Sequence, residues 1–222
     1  MVFYLYRMKI ISTNIGKSTT ITWNGAEEQT GIYKYATTTA LHLTSEGVQN
    51  DTISNTKVHG GINKACYLFS SNQYQYWKKL YPNLDMNWGM FGENLTIENL
   101  DEATLRIGDI YKIGTALVQV SQPREPCYKL GIRFGTQKIL KQFIDHNHPG
   151  AYVRVLEEGI VKKEDVCSLV EQSKNTLTIQ DFYKLLFAKE KNLELVRLAI
   201  TNTALPEHKR AQLNKYLKKR PS

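Results

Sequence analysis

The sequence predicts a mainly β fold with inserted helices, followed by a small unit of three C-terminal helices. Between residue 8 and about residue 172, short runs rich in β-branched and aromatic residues are bounded by Gly, Asn or Asp. This pattern is typical of strands joined by turns. After Asn175 the apolar residues recur at helical spacing instead. We therefore expect two domains, residues 8–172 and residues 176–222.

The predicted strands are short and often interrupted. In chain order they read MKIIST, GIYKYA, ACYLF, LTI, IYKI, ALVQV, AYVRVL and VCSLV. Two stretches, about Ser71 to Tyr81 and about Gly135 to His146, place their apolar residues on one side of a helix. Strands with only two helices between them indicate a β-barrel or another β-rich fold rather than alternating βαβ units.

Three helices are predicted near the C-terminus. The Thr178 hydroxyl can cap the first, which contains DFYKLLFAKEKN. The second covers roughly Leu193 to Thr201, and the third starts at Pro206, a residue suited to the first helical position. From Pro206 to Ser222 there are six bases and one acid. Such a basic face can contact nucleic acid or a membrane, but it is more often simply solvated.

The cysteine count indicates a reducing compartment. Three cysteines, Cys66, Cys127 and Cys167, are too few and too scattered for a disulfide framework or a structural zinc site. No apolar run approaches the roughly 18 residues of a membrane span. We expect a cytoplasmic protein without a membrane or nucleic-acid partner.

Two glycine-containing segments are candidate binding loops. The first includes His59, Gly60, Gly61 and Lys64, where paired glycines let the backbone approach an anion and the lysine adds charge. The second is FGENL, in which Glu93 and Asn94 could bind a polar ligand. Each has a structural alternative, because a β-turn with a structural histidine or a strand cap would give the same residues.

The stretch SQPREPC ends in Cys127 and is the third candidate. Pro123 and Pro126 fix their own φ and push the residues before them toward extended geometry. The loop should therefore leave the preceding strand as a stiff arm that aims the thiol. Arg124 would favour a thiolate, which is both a nucleophile and a metal ligand, whereas Glu125 would oppose it. Cys66 and Cys167 lie inside apolar runs and fit the alternative of a buried, unreactive thiol.

Four ordered motifs in this chain resemble the MOSC domain, the module related to the C-terminal part of molybdenum cofactor sulfurase. They are HGG-x-x-KA, FGEN, SQPR-x-PC-x-K and Y-x-RVL-x-x-G, and the resemblance covers residues 8 to about 171. One departure lies before the first motif, where relatives carry two acids and this chain has Asp51 and Asn55. That departure weakens the expectation of acid-dependent contacts in this loop.

The resemblance implies a MOSC β-barrel that binds a molybdenum cofactor (molybdopterin) with Cys127 as the protein ligand to the metal. The residues that it implies around the cofactor are His59, Gly60, Gly61, Lys64, Glu93, Asn94, Arg124 and Arg154. Family members of the stand-alone bacterial type reduce N-hydroxylated compounds such as 6-N-hydroxylaminopurine, with the metal accepting the N–OH oxygen. The chain has no dinucleotide fingerprint of its own. Electrons would therefore come from a flavin-type reductase that draws on NAD(P)H.

Two other functions use the same residues. A sulfur-carrier or cofactor-binding module without reductase activity would hold a persulfide on Cys127. A cysteine hydrolase would pair Cys127 with His59, but the sequence suggests no third residue to orient the histidine.

Overall fold

A computed structural model describes residues 7–52 and 60–218 of the chain. Most of the described chain is β-sheet, with several helices. The strands are β1 (Lys9–Gly16), β2 (Thr19–Trp23), β3 (Ala26–Thr30), β4 (Lys34–Thr37), β5 (Leu41–Thr44), β6 (Gly47–Val48), β7 (Cys66–Ser70), β8 (Leu95–Glu98), β9 (Ile110–Ile113), β10 (Ala116–Pro123), β11 (Ala151–Glu157), β12 (Gly159–Val161) and β13 (Cys167–Glu171). The helices are α1 (Tyr74–Leu80), α2 (Tyr128–Arg133), α3 (Lys138–His146), α4 (Ile179–Phe187), α5 (Leu193–Thr201) and α6 (Glu207–Lys218).

One eight-stranded sheet organises the molecule, in the order β13-β9-β10-β11-β7-β8-β1-β4. Its neighbours are antiparallel except β7 and β8, which run parallel. Parallel neighbours need a crossover, and α1 lies in the segment that connects these two strands. The strand β7 is buried at every position, as expected for a strand in the middle of a covered sheet.

The predicted closed barrel is not confirmed. In the described residues the strand order runs from β13 to β4 without closing, and β1 meets the residue before β13 only through an isolated bridge between Lys9 and Val166. The strands β12, β5 and β6 pair in a separate small sheet in that order. The hairpin of β2 and β3 is a third sheet that the sequence analysis did not predict. Its strand AEEQT carries too few apolar residues to give a strand signal.

The predicted helices are present, with shifted starts. Within the stretch predicted from Ser71, a short 3₁₀ turn precedes α1, and the stretch predicted from Gly135 becomes helical at Lys138. The capping prediction is confirmed, because the Thr178 hydroxyl oxygen accepts a hydrogen bond from Asp181 N at 3.0 Å. None of the helices in the described ranges has both the length and the apolar character needed to cross a membrane.

Two apolar clusters form the core. An aromatic cluster packs α1 and α3 around Trp77 and Phe143, whose ring centroids are 5.9 Å apart. An aliphatic cluster lines the main sheet and also includes Phe182, Val196 and Leu213 from the last three helices. Because those helices share the core of the sheet, the structure does not confirm a separate three-helix unit. The division into residues 8–172 and 176–222 stays a prediction.

Candidate active site

A cleft with a cavity volume of about 90 Å³ lies beside the cysteine loop, residues 124–127. The cleft lies at the end of β10. There a β-bulge at Ser121 shifts the register of β10 against β11. The Ser121 hydroxyl fixes this bulge by donating to the Asn63 carbonyl at 2.7 Å. The described residues that line the cleft are Thr30, Gly31, Ile32, Lys34, Asp51, Thr52, Lys64, Ala65, Tyr67, Phe91, Gly92, Asn94, Arg124, Glu125, Cys127, Lys129 and Tyr152.

The thiol of Cys127 is the one that reaches this cleft within the described part of the chain. Its backbone is extended, with φ −126° and ψ 166°, and α2 starts at the next residue. Cys66 and Cys167 are buried in the core, where burial raises the pKa of both thiols, that of Cys167 to about 12. The expectation of one accessible and two inert thiols therefore agrees with their positions.

The helix after Cys127 is tied to the opposite wall of the cleft. Arg133, at the end of α2, donates to the carbonyl oxygens of Ile32 at 2.6 Å and Lys34 at 3.0 Å. Its guanidinium also lies 5.0 Å from the ring centroid of Tyr33. These contacts fix the distance between the cysteine loop and the segment that carries Lys34.

Positive charge dominates the cleft. Among the described residues, four basic side chains and two acidic ones line it: Lys34, Lys64, Arg124 and Lys129, with Asp51 and Glu125. Burial is the main cause of a lowered pKa at Lys64, and the nearby Lys209 lowers it further. A wall of this kind favours an anionic ligand.

Arg124 has the most unusual environment of the four bases. It is only 5% exposed, and its Nη1 atom has no hydrogen-bond partner among residues 7–52 and 60–218. Its guanidinium lies 5.7 Å from the ring centroid of Tyr67 and 5.2 Å from that of Phe143. A buried donor without a partner is costly, so this atom points to a bound acceptor that completes the site.

Lys34 and Asp51 form a buried ion pair in the cleft wall. Asp51 also accepts from Gly16 N and from Asn94 Nδ2, each at 2.8 Å. Asn94 in turn accepts from Tyr67 N at 3.2 Å through its side-chain oxygen. Asn94 lines the cleft and also donates to Asp51, the acid that neutralises Lys34.

Glu93 is placed differently from the prediction. Its carboxylate is fully buried beneath its own turn and is not among the described residues that line the cleft. It accepts from Gly89 N at 2.9 Å and from Phe91 N at 3.1 Å. These bonds show that it stabilises the turn, and its contact with a cofactor stays a prediction.

Arg154 also lies away from the cleft lining. It donates to Asn63 Oδ1 and to the Ala204 carbonyl, both at 2.6 Å, and to Gln119 Oε1 at 3.2 Å. These contacts give it a structural position behind the turn that carries Lys64.

The predicted glycine loop is only partly described. Gly61 has φ 84°, a conformation that favours glycine, and it precedes the 3₁₀ turn of Ile62–Lys64. Of that loop, Lys64 lines the cleft, and Gly60 and Gly61 are not among the lining residues that are described. His59 and Asn55 lie outside the described residues.

Two described bases of the cleft, Lys34 and Lys129, were not among the site residues predicted from the sequence. Lys34 lies in the run GIYKYA, which carries no motif. Lys129 follows Cys127 at the position marked K in the cysteine motif, and it forms an ion pair with Glu28 at 3.3 Å. The motif position was a usable signal for Lys129, whereas Lys34 comes to the cleft only through tertiary packing.

These residues fit a molybdenum–pterin group. In the described parts of the chain, no three His, Cys, Asp or Glu side chains are grouped so that they could hold a metal by themselves. A metal bound here would have to bring further ligands, as a pterin dithiolene does, and add one thiolate. The phosphate of such a group matches a cationic wall with an unsatisfied buried guanidinium.

Comparison with known proteins adds independent findings. The family model of the MOSC domain matches residues 55–168. The uncharacterized protein YflK of Bacillus subtilis (strain 168) is 32% identical over 209 residues, 94% of each chain. A protein named reductase from Gibberella moniliformis (strain M3125 / FGSC 7600) is 32% identical over 175 residues, 78% of this chain and 31% of that protein.

A solved structure agrees as well. The crystal structure of YiiM from Geobacillus stearothermophilus superposes with a TM-score of 0.79 at 30% identity. The superposition covers 95% of this chain and 99% of that one.

Proposed function

Because the chain belongs to the MOSC domain family, we propose that it is a molybdenum-cofactor-dependent reductase of N-hydroxylated compounds such as 6-N-hydroxylaminopurine. The observation that carries the proposal is the Cys127 thiol in a cleft lined by four bases, one of which is the buried Arg124. The similarity to a protein named reductase supports the same reaction class.

Each part of the site has a task in this proposal. Cys127 would supply the thiolate ligand to the metal, held in place by the start of α2. Lys64, Arg124 and Lys129 would hold the anionic part of the cofactor. When bound, this group would supply the two-electron couple that reductive cleavage of an N–O bond needs.

The reaction balances as a two-electron reduction. The N–O bond of R–NHOH breaks, two electrons and two protons are consumed, and R–NH₂ and water form. We propose that a flavin-type reductase drawing on NAD(P)H delivers the electrons, since the sequence carries no dinucleotide fingerprint. The protein's share is to bind the cofactor, position the substrate and exclude other reactions.

Metal analysis tests the proposal directly. The wild-type chain and the Cys127→Ser variant are purified from a host that makes the molybdenum cofactor, together with Cys167→Ser as a control for loss of a buried thiol. We expect about one molybdenum and one pterin per chain in the wild type and in the control, and neither in Cys127→Ser. The wild type should also reduce 6-N-hydroxylaminopurine with a chemical electron donor.

The outcome separates the alternatives. Metal-free wild-type protein that carries a labile sulfur on Cys127 would support the sulfur-carrier function instead. A Cys127→Ser protein with full metal and full activity contradicts the proposal outright.

A further inference from the structure

The C-terminal helix α6 reaches the rim of the cleft. Lys209, on its first turn, is 8% exposed and forms an ion pair with Glu125. Glu125 lines the cleft and stands two residues before Cys127, with 43% of its side chain exposed. Lys209 lies beyond residues 55–168, the part that the MOSC family model matches.

A second contact fixes the loop that leads into α6. Arg154 bridges the Ala204 carbonyl and Asn63 Oδ1 with bonds of 2.6 Å each. Asn63 belongs to the turn that ends in Lys64, and its carbonyl accepts from Ser121 at 2.7 Å. The start of α6 is therefore attached to two of the segments that build the cleft.

The charges explain what this attachment can do. The described lining residues include two acids, of which Asp51 is neutralised by Lys34 and Glu125 by Lys209. Both residues of this ion pair also act on the pKa of Lys64, which Lys209 lowers and Glu125 raises. Charges have such effects on a group that lies close to them. Without Lys209, the Glu125 carboxylate would turn to the cations of the cleft and compete with an anionic ligand.

We propose that Lys209 is a positioning residue that holds Glu125 at the rim, so that the cleft stays available to an anionic ligand. This inference rests on the proposed function in one respect, namely that the ligand carries a phosphate. It assigns the C-terminal helices a part in ligand binding that the family-matched segment cannot supply by itself.

Binding of inorganic pyrophosphate to the ligand-free full-length chain, measured by titration calorimetry, tests the inference. Four variants are compared with the wild type: Lys209→Met, Glu125→Gln, the double variant, and Lys215→Met as a control at an exposed position of α6. Lys209→Met should weaken binding about tenfold, the size of one partly screened charge contact. Glu125→Gln and the double variant should bind at least as tightly as the wild type, and Lys215→Met should not differ from it.

Recovery of pyrophosphate binding in the double variant distinguishes a positioning role of Lys209 from a role in stability or in direct ligand contact. The inference is overturned if Lys209→Met binds like the wild type, if the double variant stays as weak as Lys209→Met, or if the wild type does not bind pyrophosphate. Molybdenum content is read separately in the same proteins from a cofactor-making host. The full pyrophosphate pattern in chains that never acquire molybdenum would overturn the proposed function and leave the role of Lys209 standing.

Discussion

The hydroxyl of Thr96 donates to Glu93 Oε1 at 2.9 Å, although neither side chain reaches solvent. The same carboxylate accepts from the Tyr74 hydroxyl and from the backbone of Gly89 and Phe91. A buried carboxylate is tolerated when its lone pairs are filled in this way. The glutamate of the FGEN motif therefore stabilises the turn in which it lies.

Glu93→Gln should destabilise the protein by about 2–3 kcal/mol, because an amide group would face donors that need an acceptor. Urea denaturation measures this loss, with Glu27→Gln as a matched exposed control. Anion binding by the folded variant should stay close to that of the wild type. Unchanged stability together with lost ligand binding would show that Glu93 is a ligand contact after all.

Arg124→Met should leave stability equal or about 1 kcal/mol higher, since it removes a desolvated charge with an unsatisfied donor. The same change should abolish molybdenum binding. Arg154→Met is the matched comparison, and it should lose stability because three hydrogen-bond acceptors lose their donor. Urea denaturation of ligand-free protein and metal analysis provide the two readouts. A large loss of stability in Arg124→Met would make that arginine structural.

Asp51→Asn should cost about 3–5 kcal/mol, because it leaves the ammonium of Lys34 buried without its counter-charge. The side chain of Asp51 is 2% exposed and that of Lys34 is 8% exposed. Thermal or urea denaturation checks the effect against Asp85→Asn, an exposed aspartate. Adding Lys34→Met to Asp51→Asn should recover part of the loss, and a double variant weaker than the single one would contradict the ion-pair explanation.

His146 and His148 should make the stability of the protein depend on pH in opposite directions. Burial, followed by the neighbouring His148, lowers the pKa of His146 from 6.5 to about 4. The unfolded chain then binds the proton more readily, so this group removes stability as pH falls from about 6.5 to about 4. A hydrogen bond with Glu102 raises the pKa of His148. Its contribution is present below pH 6.5 and is lost as pH rises through the raised value.

Melting temperatures measured from pH 4 to pH 8 test both histidines. His146→Gln should flatten the acid side of the profile, whereas His148→Gln should lower stability mostly below pH 6.5. Parallel profiles for wild type and both variants would rule out this account of the pair.

Local signals in the sequence were enough to predict many of the helices and strands. Thr178 capped its predicted helix, and the apolar runs located most strands, because these features depend on neighbours in the chain. The strand order of the main sheet was not predictable in the same way, since pairing partners such as Leu68 and Ala151 are far apart in sequence. The polar hairpin strand AEEQT was not predicted, because it lacks a hydrophobic pattern.

The residues of the candidate site also differ in whether a local sequence signal marks them. The cysteine loop and Lys64 stand in motifs, and the structure brings both to one cleft. Lys34 and Lys209 carry no motif and reach the site only by tertiary packing. Glu93 and Arg154 are not among the described residues that line the cleft, and a motif position alone does not tell whether a polar side chain faces a cleft or the protein interior.

The place of β7 between β8 and β11 in the main sheet affects how the chain folds as it is made. Both edges of β7 need partners, and one of them, β11, is translated much later than β7 itself. Until β11 arrives, an apolar strand with an unpaired edge is exposed, which invites association with other chains. We expect slow refolding, and yields that improve with low temperature and dilute protein.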